Sequence, residues 1–240
     1  FVERSCQFKR ILKTSGSFVL NISDKVENGV QNTYVFEIVL RMCKEVGFNL
    51  VRDYIWYNPS SPPNIFSKGT LGRTKKSHEY CFWFSKSSNW KFNMDPIRKP
   101  YSKDMQKYLE GKGKGDRERN TRPSTYSFNC EKQWKNHGGS DPGSVITLGN
   151  TSSNDCFLKM CKEIGITHPA RFPVKLAEFF ILAGSDPGDV ILDPFSGSGT
   201  CAVAAERNGR KWIGIDLNNQ YCELARKRMA VDFPDKYGEE

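Results

Sequence analysis

Apolar and polar positions along this chain fall into blocks whose period changes from helix-like to strand-like. Phe1, Phe8, Ile11 and Leu12 lie on one face of a helix over residues 1–12, which Thr14, Ser15 and Gly16 stop. Residues 17–22 form an apolar run of strand length, followed by a polar turn at 24–28 and a helical pattern over 33–46 that Gly47 closes. Residues 49–56 alternate as a half-buried strand does, the Pro/Ser-rich run 58–64 reads as a loop, and 79–84 is a short aromatic strand. From 86 to 150 the periodicity fades into Lys, Gly, Asn and Ser with scattered aromatics. Order returns with helices over 155–163 and 174–183, strands at 189–192 and 212–215 with a helical run 201–206 between them, and a helix over 219–229. Helices alternating with strands predict an α/β fold with a doubly wound sheet. Five strands are few for such a sheet, and the first helix has no Ser, Thr, Asp or Asn ahead of it as a cap.

The stretch Asp193, Pro194, Phe195, Ser196, Gly197, Ser198, Gly199, Thr200 joins a strand to a helix, and the next strand ends at Asp216. A glycine turn lets backbone approach a ligand closely, and an acid about 20 residues on is placed for ribose hydroxyls. The turn lacks the third glycine of a dinucleotide site and has no lysine after its glycines. Asp193 at its start would repel a phosphate but suits an ammonium group. An adenosine carrying a zwitterionic amino-acid tail, as in S-adenosylmethionine, fits best; the alternative is a plain strand-to-helix turn.

Composition sharpens the picture in one place. Residues 65–135 hold seventeen Lys and Arg against seven Asp and Glu, so this segment carries essentially the whole net charge of +9. Concentrated positive charge suits a polyanion, because each neutralised phosphate releases counterions, although lysine-rich solvated loops look the same. The eight cysteines form no C-x-x-C pair and the three histidines are scattered, so no metal site is expected. With no apolar stretch near 18 residues and no signal peptide in view, no membrane association is expected, and a reducing cytosolic or nuclear setting is.

Three motifs together carry a resemblance: His168-Pro169-Ala170-Arg171-Phe172-Pro173, the 193–200 turn, and Gly214-Ile215-Asp216. In this order they resemble the beta class of DNA amino-methyltransferases, and most closely its N4-cytosine branch, over essentially the whole chain. The resemblance implies a circularly permuted S-adenosylmethionine-dependent methyltransferase sheet in which residues 1–85 form the catalytic half, 86–150 an inserted target-recognition region, and 151–240 the cofactor-binding half. It implies that the 193–200 turn holds the methionine moiety and Asp216 the ribose, with His168, Pro169, Ala170, Phe172 and Lys175 in a box closing over the cofactor; Phe172 and Phe195 are equally readable as core aromatics. Arg117, Arg119 and Arg122 become candidate contacts to double-stranded DNA, and Lys75 and Lys76 candidate phosphate contacts, against the alternative of a solvated charge run.

The same resemblance places a catalytic tetrapeptide (Ser or Asp, Pro-Pro, then Tyr or Phe) ahead of the first helix. Ser61-Pro62-Pro63-Asn64 imitates it in the wrong place, and Asn64 cannot stack on a base as an aromatic does. The catalytic residues are therefore expected upstream of Phe1, on strands that are cleaved, unlisted in this sequence or supplied by a second chain; a homodimer stays open. The implied reaction is direct attack of an exocyclic amine of a flipped base on the sulfonium methyl, with no covalent enzyme intermediate. A C5-cytosine enzyme would need a cysteine nucleophile, usually after proline, and no proline here precedes a cysteine. Adenine N6, or a non-catalytic DNA-recognition subunit, remain as alternatives.

Overall fold

The computed structural model describes residues 1–61, 74–110, 136–150, 160–161, 163, 165 and 171–238. They divide into two compact units, Phe1–Phe92 with Gly143–Glu240, and Asn93–Pro142.

In the larger unit the chain runs α1 (Val2–Ile11), β1 (Ser17–Ile22), a hairpin of β2 (Val26–Glu27) and β3 (Val30–Gln31), α2 (Tyr34–Lys44), β4 (Asn49–Tyr57) and β5 (His78–Ser85). The smaller unit supplies a 3-10 turn (Asp95–Ile97) and α3 (Lys103–Leu109). The larger unit resumes with β6 (Val145–Thr147), α4 (Val174–Gly184), β7 (Val190–Asp193), α5 (Thr200–Arg207), β8 (Lys211–Gly214), α6 (Asn219–Asp232) and α7 (Pro234–Tyr237). All five expected strands are present. The expectation missed β6 and the hairpin, which are too short to show a period.

The sheet is mixed, and among the described residues it comes in two pieces. One has the order β1-β5-β4-β6, with β5 antiparallel to β1 and β4, and β6 parallel to β4. The other is the parallel pair β7-β8. Helices cover both faces, as the expected α/β sheet requires. On β5, Phe82 and Phe84 point to one face and pack with Val35, Val39 and Met42 of α2 and with Leu20 and Phe48. Trp83 points to the other, against Phe180 of α4 and Tyr54 of β4. Alternate residues of a strand face opposite sides, so an aromatic run such as 80–84 suits a strand buried on both.

Long lysine side chains add to the backbone caps at two helix C-termini. Lys9 Nζ donates to the carbonyls of Val46 and Gly47 beyond α2, and Lys86 Nζ to those of Arg10 and Leu12 at the end of α1. Cations at a helix C-terminus satisfy carbonyls that lack an intrahelical partner and oppose the negative end of the dipole. At its other end α1 begins at Phe1 with no side-chain cap, as its sequence foretells. Its buried residues are Val2 and Ser5 rather than Ile11, which is half exposed.

The C-terminal part of the larger unit is packed through small residues. Ala204 and Ala205 of α5 meet Ala177 and Ile181 of α4, while Ala202 and Val203 meet Met229 of α6. Short side chains let the helices approach until the turn ahead of α5 is fixed from both sides.

Candidate functional site: the glycine turn between β7 and α5

β7 delivers Asp193 at its C-terminal end, and the parallel neighbour β8 delivers Asp216 two residues past its own. Side chains and loops at the carboxyl ends of parallel strands form the usual ligand crevice of such sheets. The turn is tied down at every step. Asp193 Oδ1 accepts from the Phe195 amide at 3.0 Å, the Ser196 amide donates to the Ile215 carbonyl at 2.9 Å, and the Gly197 amide donates to Asp216 Oδ2 at 2.8 Å. Asp216 Oδ1 accepts from the Asn218 amide at 2.9 Å.

Glycine is favoured here for two different reasons. Gly199 sits at φ +74°, a conformation that L side chains rarely adopt, and a Cβ there would lie 3.1 Å from Ala225 Cβ of α6. Gly214 has ordinary backbone, but a Cβ would come within 2.5 Å of Ser196 Oγ and 3.1 Å of its Cβ, so the Ser196 side chain would have to shift. From beneath, the buried Arg228 of α6 donates to the Ser198 carbonyl and to Thr200 Oγ1, both at 3.2 Å.

Phe195 stands out from the turn, half exposed, in a cluster with Phe1 and Phe8 of α1 at 6.3 Å each; Phe8 also meets Phe18 of β1 at 5.5 Å. Burial, and then the Asp193 carboxylate beside it, push the Cys201 thiol well above its usual value, so the group is a neutral thiol. At the other end of β7, Asp189 takes the Asp186 amide, Lys91 and Lys13, and its carboxyl is lowered to about 2, first by that amide and then by Lys91.

The structure thus brings together 193–200 and Asp216. Phe172 is partly buried against the α4–α5 cluster, and Lys175 is exposed in the first turn of α4. His168, Pro169 and Ala170 lie outside the described residues, as do Arg117, Arg119, Arg122, Pro62, Pro63 and Asn64. Ser61 closes a turn after β4, its hydroxyl donating to the Asn58 carbonyl at 3.0 Å. Lys75 donates to the Ser61 carbonyl, whereas Lys76 is ion-paired with Asp24 and its pKa is lowered by burial. Sequence reasoning overlooked Arg228 and Ala225, whose spacing of three on α6 puts both under the turn; nothing in a sequence says which residues a helix will aim at a distant loop. Among the described residues no group of His, Cys, Asp and Glu could hold a metal, and no helix is long and apolar enough to cross a membrane.

Residues 1–227 match the family described as DNA methylase, of the N6/N4 type. The chain is 38% identical over 224 residues to the type II methyltransferase M.PvuII of Proteus hauseri, covering 91% of this chain and 66% of that protein. It is 31% identical over 237 residues to the orphan methyltransferase M.BamHII of Bacillus amyloliquefaciens, covering 95% and 80%. A solved structure of the PvuII DNA methyltransferase (cytosine-N4-specific) superposes with a TM-score of 0.68 at 31% identity, over 97% of this chain and 70% of that one. The M1.HpyAVI–SAM complex shares the fold, with a TM-score of 0.58 at 20% identity. The chain spans just under two thirds of M.PvuII and 56% of the M.BglII methyltransferase of Bacillus subtilis. By the match over residues 1–227 and the 38% identity to M.PvuII over 91% of its own length, this chain belongs to the N6/N4 DNA methylase family.

Proposed function

We propose that this chain is the cofactor-binding and DNA-recognising body of a type II DNA methyltransferase that modifies the exocyclic N4 of cytosine in duplex DNA, with S-adenosylmethionine as methyl donor. The observation that carries the reading is the meeting of turn and acid, in which the Gly197 amide rests on Asp216 at the carboxyl ends of two parallel strands. The cytosine assignment rests on the identity to M.PvuII and the likeness to the cytosine-N4-specific PvuII DNA methyltransferase.

The residues present fit this cofactor. Asp193 accepts from the Phe195 amide and the Cys201 thiol, and Asp216 from one amide on each oxygen; a carboxylate has about four lone-pair sites, so both keep acceptor capacity. Asp193 then serves an ammonium group and Asp216 a ribose hydroxyl. The glycine turn would hold the amino-acid tail, and Phe172, Lys175, His168, Pro169 and Ala170 would close over the nucleoside. When bound, S-adenosylmethionine supplies a methyl group activated by its sulfonium. The protein's own task is to hold the amine's hydrogens by acceptors, free its lone pair from the ring, and stack the flipped base on an aromatic.

The residues for that task lie, in this proposal, on a segment upstream of Phe1 or on a second chain. Support comes from strand edges: β1 pairs only with β5, and β7 only with β8, among the described residues. The two strands start side by side, because Lys91 donates through its amide to the Ser15 carbonyl and through Nζ to Asp189. Exposed edges of this kind are templates for an added strand. Residues 86–150, with Arg117, Arg119 and Arg122, would read DNA, Lys75 would meet a phosphate, and Lys76 would do so only by leaving Asp24. Such a protein would work where duplex DNA is, in the bacterial cytosol or nucleoid.

Incubation of unmethylated duplex DNA with the protein and S-adenosylmethionine, followed by nucleoside mass spectrometry, tests the proposal. N4-methylcytosine is the expected product. N6-methyladenine would overturn the cytosine assignment, and cofactor and DNA binding without any methylated base would favour a recognition subunit.

A further inference from the structure

Arg228 is a buried cation that the reaction chemistry does not call on, placed directly beneath the glycine turn. Its Nη1 donates to the Ser198 carbonyl and to Thr200 Oγ1, both at 3.2 Å, and its Nε lies 3.9 Å from Asp232 on its own helix. The Ser198–Gly199 peptide is thereby held at both ends, since the Gly199 amide donates to the Ser196 carbonyl at 2.9 Å. One turn earlier on α6, Ala225 fills the space that a side chain at Gly199 would need.

The contact to Thr200 has a chemical consequence. A guanidinium has only donors, so Thr200 Oγ1 must meet it with a lone pair, and the hydroxyl hydrogen is directed elsewhere. Arg228 also brings positive charge to the start of α5, where the helix dipole is already positive. Both effects favour an anion in front of the turn, whereas Asp193 at the turn's other end favours a cation. The turn is polarised along its length to match an α-amino acid.

We infer that Arg228 is a positioning residue that sets the turn for the carboxylate end of the cofactor's amino-acid tail, by fixing the Ser198–Gly199 peptide and turning the Thr200 hydroxyl into a donor. The inference rests on the proposed S-adenosylmethionine site. It does not make Arg228 a ligand contact, because the side chain acts through Ser198 and Thr200.

The test is calorimetric titration of the full chain with two ligands, S-adenosylmethionine and methylthioadenosine, which lacks the amino-acid tail. In R228M the Kd for S-adenosylmethionine is expected to rise about tenfold or more, as loss of a charge-assisted hydrogen-bonding partner implies, while that for methylthioadenosine stays within about twofold. R228K keeps the charge but one contact at most and is expected to fall between, which decides the matter if R228M does not fold. R210M removes another buried arginine, bound to Ser185 and Asn208 away from the turn, and is expected to lower Tm without changing either Kd. Equal weakening of both ligands by R228M or R228K, or no weakening of S-adenosylmethionine, would overturn the inference. Failure of the unaltered chain to bind S-adenosylmethionine at all would instead overturn the proposed site, and the inference with it.

Discussion

At Gly199 and Gly209 the backbone has nearly the same positive φ, +74° and +70°, but the surroundings differ. Gly209 has nothing within 4 Å of a would-be Cβ, so G209A should cost only the conformational strain, about 1 kcal/mol. G199A adds a close contact with Ala225 and should cost about 1 kcal/mol more, with a weaker affinity for S-adenosylmethionine that G209A does not show. Urea unfolding and ligand titration of the two variants would check both halves of this contrast. The cysteines offer a second comparison. The Cys201 thiol is pushed up by burial and by Asp193, whereas Cys6 is exposed on α1. Brief iodoacetamide treatment at pH 8 should alkylate Cys6 and spare Cys201 in the folded protein, as read by peptide mass spectrometry, because the thiolate is the reacting species.

Among the elements, β7 is held less by its own four residues than by the charges at its start. Asp189, its carboxyl at about 2, joins β7 to Lys91 and Lys13 from the β5 and β1 sides of the unit. A carboxyl lowered on folding adds stability that is complete above its unfolded value near 3.8 and disappears as pH falls towards 2. The wild type should therefore exceed D189N in stability at pH 6, with the gap closing between about pH 4 and pH 2. Thermal melts of the two proteins across that range would show it; a constant gap would mean that Asp189 acts through shape alone. At the far end of the unit, Glu206 of α5 accepts from Trp212 Nε1, Tyr237 Oη and Lys236 Nζ, so α7 is fastened to β8 through one carboxylate. E206Q leaves the amide oxygen for only part of this set, and amide hydrogen exchange over α7 should rise before any other helix loosens.

For the whole molecule, the positive charge is shared between the two units. The compact unit Asn93–Pro142 overlaps the basic stretch 65–135, while the packed cores under β5 and α5 belong to the other unit. Replacing 93–142 by a short glycine-serine linker should leave S-adenosylmethionine binding within about threefold but abolish specific DNA binding. The intact chain should bind duplex DNA with a steep fall in affinity as salt rises, because its Lys and Arg displace phosphate counterions. Fluorescence anisotropy over a salt series would measure the slope.

The sequence by itself determined the alternation of helices and strands, the five principal strands, and the turn with its acid. Each of these is written in nearest neighbours: period two or 3.6 in apolar positions, and glycines and acids at fixed spacing from a strand end. It also determined that the charge sits in the middle of the chain, which needs only counting. The tertiary structure decided what depends on partners distant in sequence. Two-residue and three-residue strands such as β2, β3 and β6 have no period of their own, and β6 exists because β4 offers it an edge. Gly47 ends α2 locally, as its sequence foretells, but the added contacts of Lys9 there and of Lys86 at the end of α1 come from far along the chain, so a local search does not find them. Arg228 and Ala225 belong to the glycine turn only because α5 packs close enough on α6 to carry the turn onto them, a closeness its alanines allow but do not announce.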